Sequence, residues 1–322
     1  MDKKLLDFIV CPECKSSINL KVFKEDAKGR VMEGTLTCSL NNSHCFPVTS
    51  GIPRIFKSNH KEAIFDRTAD VFGFEWNEFY DYSLDNLEGM IKPHSLERFN
   101  GKLGLDAGCG GGRHVVKCAK YASNIIGIDL SKAVEESNRK VQKLNNAHIL
   151  QADILSLPFK KETFDFIYSL GVLHHLPEPR KGFEYLVDLL KKDGDIYVWV
   201  YKKSLRKVIL RQIRRITTKL PISIIKHLAG IFSFIGYFLI IHPSRFFITR
   251  YHIFKKITPS HIIEYSKHDF RIYFTDWFDR LSAPISNHYL PGQVEEWFKK
   301  KGLSEYYVTT IGDFWCYGYG KK

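Results

Sequence analysis

The chain has 322 residues, 44% of them apolar and 26% charged, a balance that excludes a disordered protein and leaves room for one large domain plus a smaller one. Its net charge of +13 is local: residues 196–263 hold 13 Lys and Arg and no Asp or Glu, so the other 35 basic and 35 acidic residues cancel. An electrostatic partner is therefore expected at that segment.

Seven cysteines, four of them before residue 46, do not make the pattern of a secreted disulfide framework, and no long apolar core follows Met1-Asp2-Lys3-Lys4. The expected setting is a reducing cytoplasm.

Residues 1–56 read as a small β module with strands expected at 17–23, 30–37 and 46–48. Cys11-Pro12-Glu13-Cys14 is a C-x2-C knuckle, and Cys38 and Cys45 supply a wider second pair. Two short-spaced thiol pairs suit tetrahedral zinc, which would staple a core too small to hold itself. The expected ligands are Cys11, Cys14, Cys38 and Cys45, with His44 as a replacement for Cys45. Four such ligands leave no open position, so the zinc is structural; a degenerate module without metal is the alternative. The runs LLDFIVCPEC and FPVTSGIPRIF resemble the zinc-binding activator proteins that partner tRNA and translation-factor methyltransferases.

Residues 57–102 read as a linker over 57–61 and an aromatic-rich helical stretch over 65–82, FDRTADVFGFEWNEFYDY. Phe72, Trp76 and Phe79 would pack it on the next domain. The other reading is a lid over a cofactor, with Trp76 and Tyr80 as its tip. A short helix is expected at 93–99.

From residue 103 strands and helices alternate, which argues for a parallel sheet with crossover helices. Strands are expected at 103–107, 124–128, 148–151, 164–169 and 195–201, the last after a turn at Lys192-Asp193-Gly194. The first ends in the turn LDAGCGGGRH, where Gly108, Gly110, Gly111 and Gly112 lead into a helix over 114–121. Arg113 fills the sixth place of a G-x-G-x-x-G fingerprint, which excludes the dinucleotide motif, and no Gly-Lys-Ser/Thr follows for a P-loop. Asp106 and Asp129 end the first two strands, and Asp153 follows the third, so three acids gather at the carboxyl edge where such sheets bind ligands. Ser131 is the expected N-cap of a helix over 132–145.

LDAGCGGGRH, IIGIDLS, QADILSLPF, FDFIYSLGVLHHLPEP and LLKKDGDIYVWV together resemble, in order and spacing, the class I S-adenosylmethionine-dependent methyltransferases of the type 11 kind. That resemblance implies an α/β fold: a Rossmann-like seven-stranded sheet whose last strand is antiparallel, here with a zinc-ribbon-like module in front and a helical insert. It implies S-adenosylmethionine bound by Asp106, Gly108, Gly110, Gly112, Asp129, Asp153 and Leu170. The ribose hydroxyls suit Asp129, the adenine amino group suits Asp153, and the methionine amino group suits the carbonyls of the glycine turn. His174 and His175 follow strand four beside the expected methyl group, and His288 lies in a loop that faces the acceptor in similar enzymes. An imidazole titrates in the range a general base needs, and packing or pocket-shaping roles are the alternative for each.

Residues 201–263 form an insert. Lys202, Lys203, Arg206, Lys207, Arg211, Arg214, Arg215 and Lys219 are interleaved with Leu205 and other apolar residues, and an almost wholly apolar run over 220–241 follows. Its continuous part, 228–241, is shorter than the roughly 20 residues a spanning helix needs, and Gly230 and Gly236 weaken it further. An interfacial helix or hairpin with the basic run on anionic headgroups, over 202–256, competes with a cap packed on the core or a second subunit, and with RNA binding. A helix over 293–301 with Val294, Trp297 and Phe298 on one face precedes a closing hairpin of 303–310 and 314–319 around Gly312-Asp313.

The sequence thus points to a cytoplasmic, peripherally membrane-associated O-methyltransferase with domains over 1–56, 57–102 and 103–322. Its acceptor would be a small, glycan- or lipid-linked molecule. A tRNA or rRNA methyltransferase is the alternative enzyme, although Ser169-Leu170-Gly171-Val172 stands where many base-amino methyltransferases carry Asn/Asp-Pro-Pro-Tyr/Phe. An inactive scaffold or binding module is the non-enzyme alternative.

Overall fold

The computed structural model describes all residues except 57–62, 80–85, 205 and 313. The expected linker 57–61, Tyr80, Leu205 and Asp313 lie outside the described residues.

Its strands are β1 (Ile18–Glu25), β2 (Val31–Cys38), β3 (Cys45–Thr49), β4 (Ile52–Ile55), β5 (Leu103–Ala107), β6 (Asn124–Asp129), β7 (Ala147–Ala152), β8 (Phe164–Leu170), β9 (Leu190–Tyr201), β10 (Tyr306–Ile311) and β11 (Trp315–Lys321). They join in the order β1-β2-β3-β4-β7-β6-β5-β8-β9-β11-β10. Strands β4 to β9 of the core run parallel, and β11 pairs antiparallel with both β9 and β10.

The N-terminal module is not a separate body. The chain after Gly51 forms β4, a strand the sequence did not signal, which pairs parallel with β7 through Arg54↔Gln151 and Ile55↔Ala152. Val10 N–H donates to the Pro158 carbonyl (2.9 Å) and Lys15 Nζ to that of Leu157 (2.7 Å). One apolar core accordingly runs from Leu5, Leu36 and Val48 into Leu150, Ala152 and Phe159. The module covers an edge of the parallel sheet that would otherwise present unpaired backbone groups to water.

The helices are α1 (Ala63–Glu78), α2 (Leu87–Met90), α3 (Arg113–Cys118), α4 (Val134–Val141), α5 (Pro179–Leu189), α6 (Arg206–Thr217), α7 (Ile222–Gly236), α8 (His242–Arg250), α9 (His252–Ile257), α10 (Ser260–Tyr265), α11 (Phe270–Ser282) and α12 (Pro291–Lys301). Helix α4 starts later than expected, but Ser131 Oγ still accepts the Ala133 N–H at 3.2 Å. Phe99, in the short helix before β5, stacks on Phe166 at 3.9 Å between ring centroids. Gly104 makes the room, since a Cβ there would lie 2.1 Å from that ring. The expected turn at 192–194 is instead an irregularity inside β9: Phe164 pairs with Leu190 but Phe166 with Asp195.

The insert departs most from expectation. Helices α7 and α8 form one continuous helix, Ile222–Arg250, of 29 residues. Its apolar stretch is therefore long enough, by length and composition, to cross a membrane. Gly236 does not break it, because the glycine admits Tyr273, whose hydroxyl would lie 2.5 Å from a Cβ. Pro243 is absorbed by the wide turn Tyr237–Ile241 just before it. Nor is the basic run wholly outward: Arg214 is buried and donates from Nε to the Arg280 carbonyl (2.6 Å) at the end of α11, where a cation suits the exposed carbonyls. The cap also extends past residue 263, through α10 and α11.

Asp195 is buried at the head of the regular part of β9 and accepts two bonds from Arg98 (2.8 and 2.7 Å) and one from Tyr319 Oη (2.8 Å). These bonds outweigh burial and hold its carboxyl below the usual range. A carboxyl depressed in the folded state stabilises above the unfolded carboxylate range and loses that contribution as acid protonates it. Asp195→Asn is therefore expected to cost about 2–3 kcal/mol by chemical denaturation at neutral pH, with the difference from the parent shrinking in acid. Equal stabilities at neutral pH would count against this role.

Candidate functional site

The glycine turn after β5 is held by α4 and the end of β6. Asp129 Oδ2 accepts the Gly110 N–H (2.9 Å), and Oδ1 accepts the Ser131 N–H (2.8 Å) and hydroxyl (2.7 Å). Ser137 Oγ donates to the Gly110 carbonyl and Lys140 Nζ to that of Gly111. Those two carbonyls are thus engaged within the protein, and Gly108 is the glycine of the turn that lines the cavity. The glycines at 108, 110 and 112 all have positive φ. A Cβ on Gly110 would meet the Trp76 indole at 2.7 Å, and one on Gly112 the Ser137 backbone at 2.9 Å.

Burial pushes the Asp106 carboxyl well above the usual range, reinforced by the neighbouring Asp129 charge. Burial also raises Asp129, against the bonds from Ser131 and Gly110. Asp153 begins a short helical turn and accepts the Leu155 N–H at 2.8 Å.

Beside the turn lies a cavity of about 430 Å3, lined by Gly108, Asp129, Asp153, Leu170, Gly171 and His175 from the strand ends. Its roof is helical: Phe72, Glu75 and Trp76 come from α1, His261, Glu264 and Tyr265 from α10, and Asp276 and Asp279 from α11. Trp76 lies against Gly110 and beneath the Arg113 guanidinium, 5.2 Å from its ring centroid. Helix α1 therefore both packs on the core and covers the site, so the two readings of that segment are one.

The three histidines separate. His174 is fully buried, stacks on Tyr201 at 3.9 Å and is absent from the cavity lining. His288 stacks on the same tyrosine at 5.6 Å and likewise stays outside it. Both face the aromatic packing behind the site, and of the three histidines His175 alone lines the cavity. Its Nδ1 contacts the Ile285 carbonyl at 2.6 Å. A carbonyl only accepts, so Nδ1 carries the proton and Nε2 the lone pair.

The polar groups of the roof went unnoticed in the sequence. Tyr201 Oη donates to Asp279 Oδ2 (2.6 Å), while Asp279 Oδ1 and Glu75 Oε2 are buried and have no hydrogen-bond partner among the described residues. Burial, then Asp279 and Asp276, push the Glu75 carboxyl well above the usual range. Tyr201 was recognisable as the residue ending a core strand; the i, i+3 acids of α11 carried no motif.

In the front module Cys11, Cys14, Cys38 and His44 bring one donor atom each within 4.8 Å of one another. His44 Nδ1 lies 3.5 Å from Cys11 Sγ and 3.4 Å from Cys14 Sγ. A tetrahedral ion with bonds of about 2.3 Å to sulfur and 2.0 Å to nitrogen would set such pairs about 3.5 Å apart, so the donor set fits zinc. A bond to Ser16 Oγ draws the Cys38 thiol down to about 6, towards the thiolate a metal requires. The expectation for Cys45 is corrected: its thiol is exposed and lies 2.9 Å from the Asn42 carbonyl, because the next residue of β3 points the opposite way from His44.

Residues 105–198 match the family model described as methyltransferase domain, and residues 2–51 the one described as Trm112p-like protein. The chain carries a methyltransferase domain and a Trm112p-like domain. Over 110 residues it is 36% identical to the tRNA (carboxymethyluridine(34)-5-O)-methyltransferase of Saccharomyces cerevisiae, covering 32% of this chain and 38% of that protein. Over 140 residues it is 32% identical to the ubiquinone biosynthesis O-methyltransferase of Coxiella burnetii, covering 38% of this chain and 59% of that one. The chain thus spans less than two thirds of the length of either relative. Among solved structures, magnesium protoporphyrin IX methyltransferase of Synechocystis PCC 6803 is 14% identical, with a TM-score of 0.46, over 81% of this chain and 99% of that one.

Purified protein is expected to carry about one zinc per chain by elemental analysis. Cys38→Ser and His44→Ala should lower that occupancy and Cys45→Ser should keep it; the reverse pattern for the last two would restore Cys45 as ligand.

Proposed function

We propose that the protein is an S-adenosylmethionine-dependent methyltransferase that O-methylates a small, glycan- or lipid-linked acceptor, with a structural zinc in its front module. The reading rests on one cavity that joins the ends of β5, β6 and β8 to His175. Asp129 Oδ1 accepts two protein donors and Oδ2 one. A carboxylate oxygen has two lone pairs, so Oδ2 retains capacity for a ribose hydroxyl. Asp153 suits the adenine amino group, Gly108 the methionine end, and Leu170 an apolar wall. Bound S-adenosylmethionine supplies the methyl group as an electrophilic sulfonium.

The chain's residues then have two tasks, alignment and proton removal. Tyr201 at the end of β9 and the roof residues Glu75 and Asp279 offer hydrogen bonds that orient a hydroxyl-bearing acceptor. His175 Nε2 takes the hydroxyl proton while the Ile285 carbonyl stabilises the imidazolium through Nδ1. Phe72, 4.6 Å from the His175 ring, and Trp76 keep water from the reacting atoms.

An RNA acceptor is the second reading. The Trm112p-like domain and the similarity to a tRNA methyltransferase favour it.

Calorimetry with S-adenosylhomocysteine tests the donor half: Asp129→Ala should weaken binding about 10- to 100-fold. For the acceptor half, His175→Ala should lower turnover about 10²- to 10⁴-fold with donor affinity unchanged. Unchanged donor binding by Asp129→Ala would remove the site assignment, and full turnover by His175→Ala would remove the base.

A further inference from the structure

The long helix of the cap has two unlike faces. Ile225, Ala229, Ser233, Gly236, Tyr237 and Ile241 are buried at helical spacing, packed beside Phe278, Leu281 and Tyr273 of α11. The opposite face exposes Ile231, Phe234, Ile235, Phe238, Leu239 and Phe246. Helix α9 continues the apolar surface with Ile253 and Ile257. Among the described residues, 14 of the 21 exposed large apolar side chains fall within residues 224–257. Surfaces of soluble monomers rarely gather so much apolar area in one patch.

Charge decides what covers it. Arg215, Lys219, Arg245, Arg250, Lys255 and Lys256 are exposed on the same helices and their approach, and none has a carboxylate partner among the described residues. Residues 196–263 contain no acid at all. A second copy of the chain docked through this face would set like charges against like across a twofold interface. RNA would meet the cations but leave the phenylalanines and isoleucines in water. An anionic bilayer surface satisfies both sets, with apolar side chains below the headgroups and cations among them.

We propose that α7, α8 and α9 lie in the plane of an anionic lipid bilayer and dock the protein on it. The helix is long enough to span but does not, because its buried stripe is bound to α11, and Asp276 and Asp279 of α11 line the cavity. Insertion across the membrane would strip that packing and open the roof of the site. Docked in plane, the helix keeps α11 between bilayer and cavity.

The test is sedimentation of the full chain with two kinds of vesicle, pure phosphatidylcholine and phosphatidylcholine mixed with phosphatidylglycerol. The protein should pellet with the mixed vesicles, less with the neutral ones, and less as salt rises. Combined reversal of Arg245, Arg250, Lys255 and Lys256 to Glu should weaken binding by about fivefold or more per cation. A triple Phe234→Ser, Leu239→Ser, Phe246→Ser variant should lose vesicle binding with its thermal unfolding unchanged, since those side chains are exposed. Equal binding to both vesicles would overturn the proposal. So would a dimer in analytical ultracentrifugation that the triple variant converts to monomer, because the face would then belong to a second copy. No readout involves methyl transfer, so failure here is distinct from failure of the catalytic reading.

Discussion

The bonds from Gly110 and Ser131 to the Asp129 carboxylate are the constraint on which the site depends. They tie the turn after β5 to the end of β6 and leave the glycines no freedom to drift. Trp76 then settles on Gly110 because no Cβ intervenes, and Arg113 covers the indole. The cavity floor, the lid and the sheet edge are thus positioned by one buried carboxyl whose own burial opposes its charge. Neighbouring Asp106 is more deeply buried, and burial with the Asp129 charge beside it raises its carboxyl as well.

Around this anchor the chain divides its labour. The parallel strands supply one wall of the cavity, through Gly108, Asp129, Asp153 and Leu170 at their carboxyl ends. The facing wall comes from α1, which lies between β4 and β5, and from α10 and α11, which lie between β9 and β10. The front module contributes to neither wall. It extends the sheet through β4 and β7 and shares its apolar core with the strand that carries Asp153. A metal that stiffens this module would thereby stiffen one side of the cavity, which gives a physical reason for a Trm112p-like domain to be fused to a methyltransferase domain.

The glycine turn and the acids beside it were legible because their signals are local. Glycines at 108, 110 and 112 and acids at successive strand ends require only the strand–turn–helix pattern to be read. The cluster in the front module was legible as Cys11, Cys14, Cys38 and one of the adjacent pair His44 and Cys45, and only the fold says that His44 is the one that joins it. The helical roof of the cavity was not legible. Glu75, Asp276 and Asp279 meet across some 200 residues of chain, through helix packing that no short pattern encodes. The same holds for His174 and His288, whose packing against Tyr201 depends on the loop at Asn287 bonding back to the His174 carbonyl (2.8 Å). The insert helix was underestimated because its continuous apolar run is short and Gly230 and Gly236 look like breakers, until Tyr273 of α11 is seen to occupy the space that Gly236 leaves.

The central claim is that donor and acceptor meet in one roofed cavity and that the acceptor is a hydroxyl compound outside nucleic acid. Incubating the full protein with methyl-labelled S-adenosylmethionine and separated cell fractions tests it most directly. Label is expected in the lipid or small-molecule fraction, on oxygen, and absent when His175 is replaced by Ala. Label confined to RNA, or transfer that persists without His175, would contradict it.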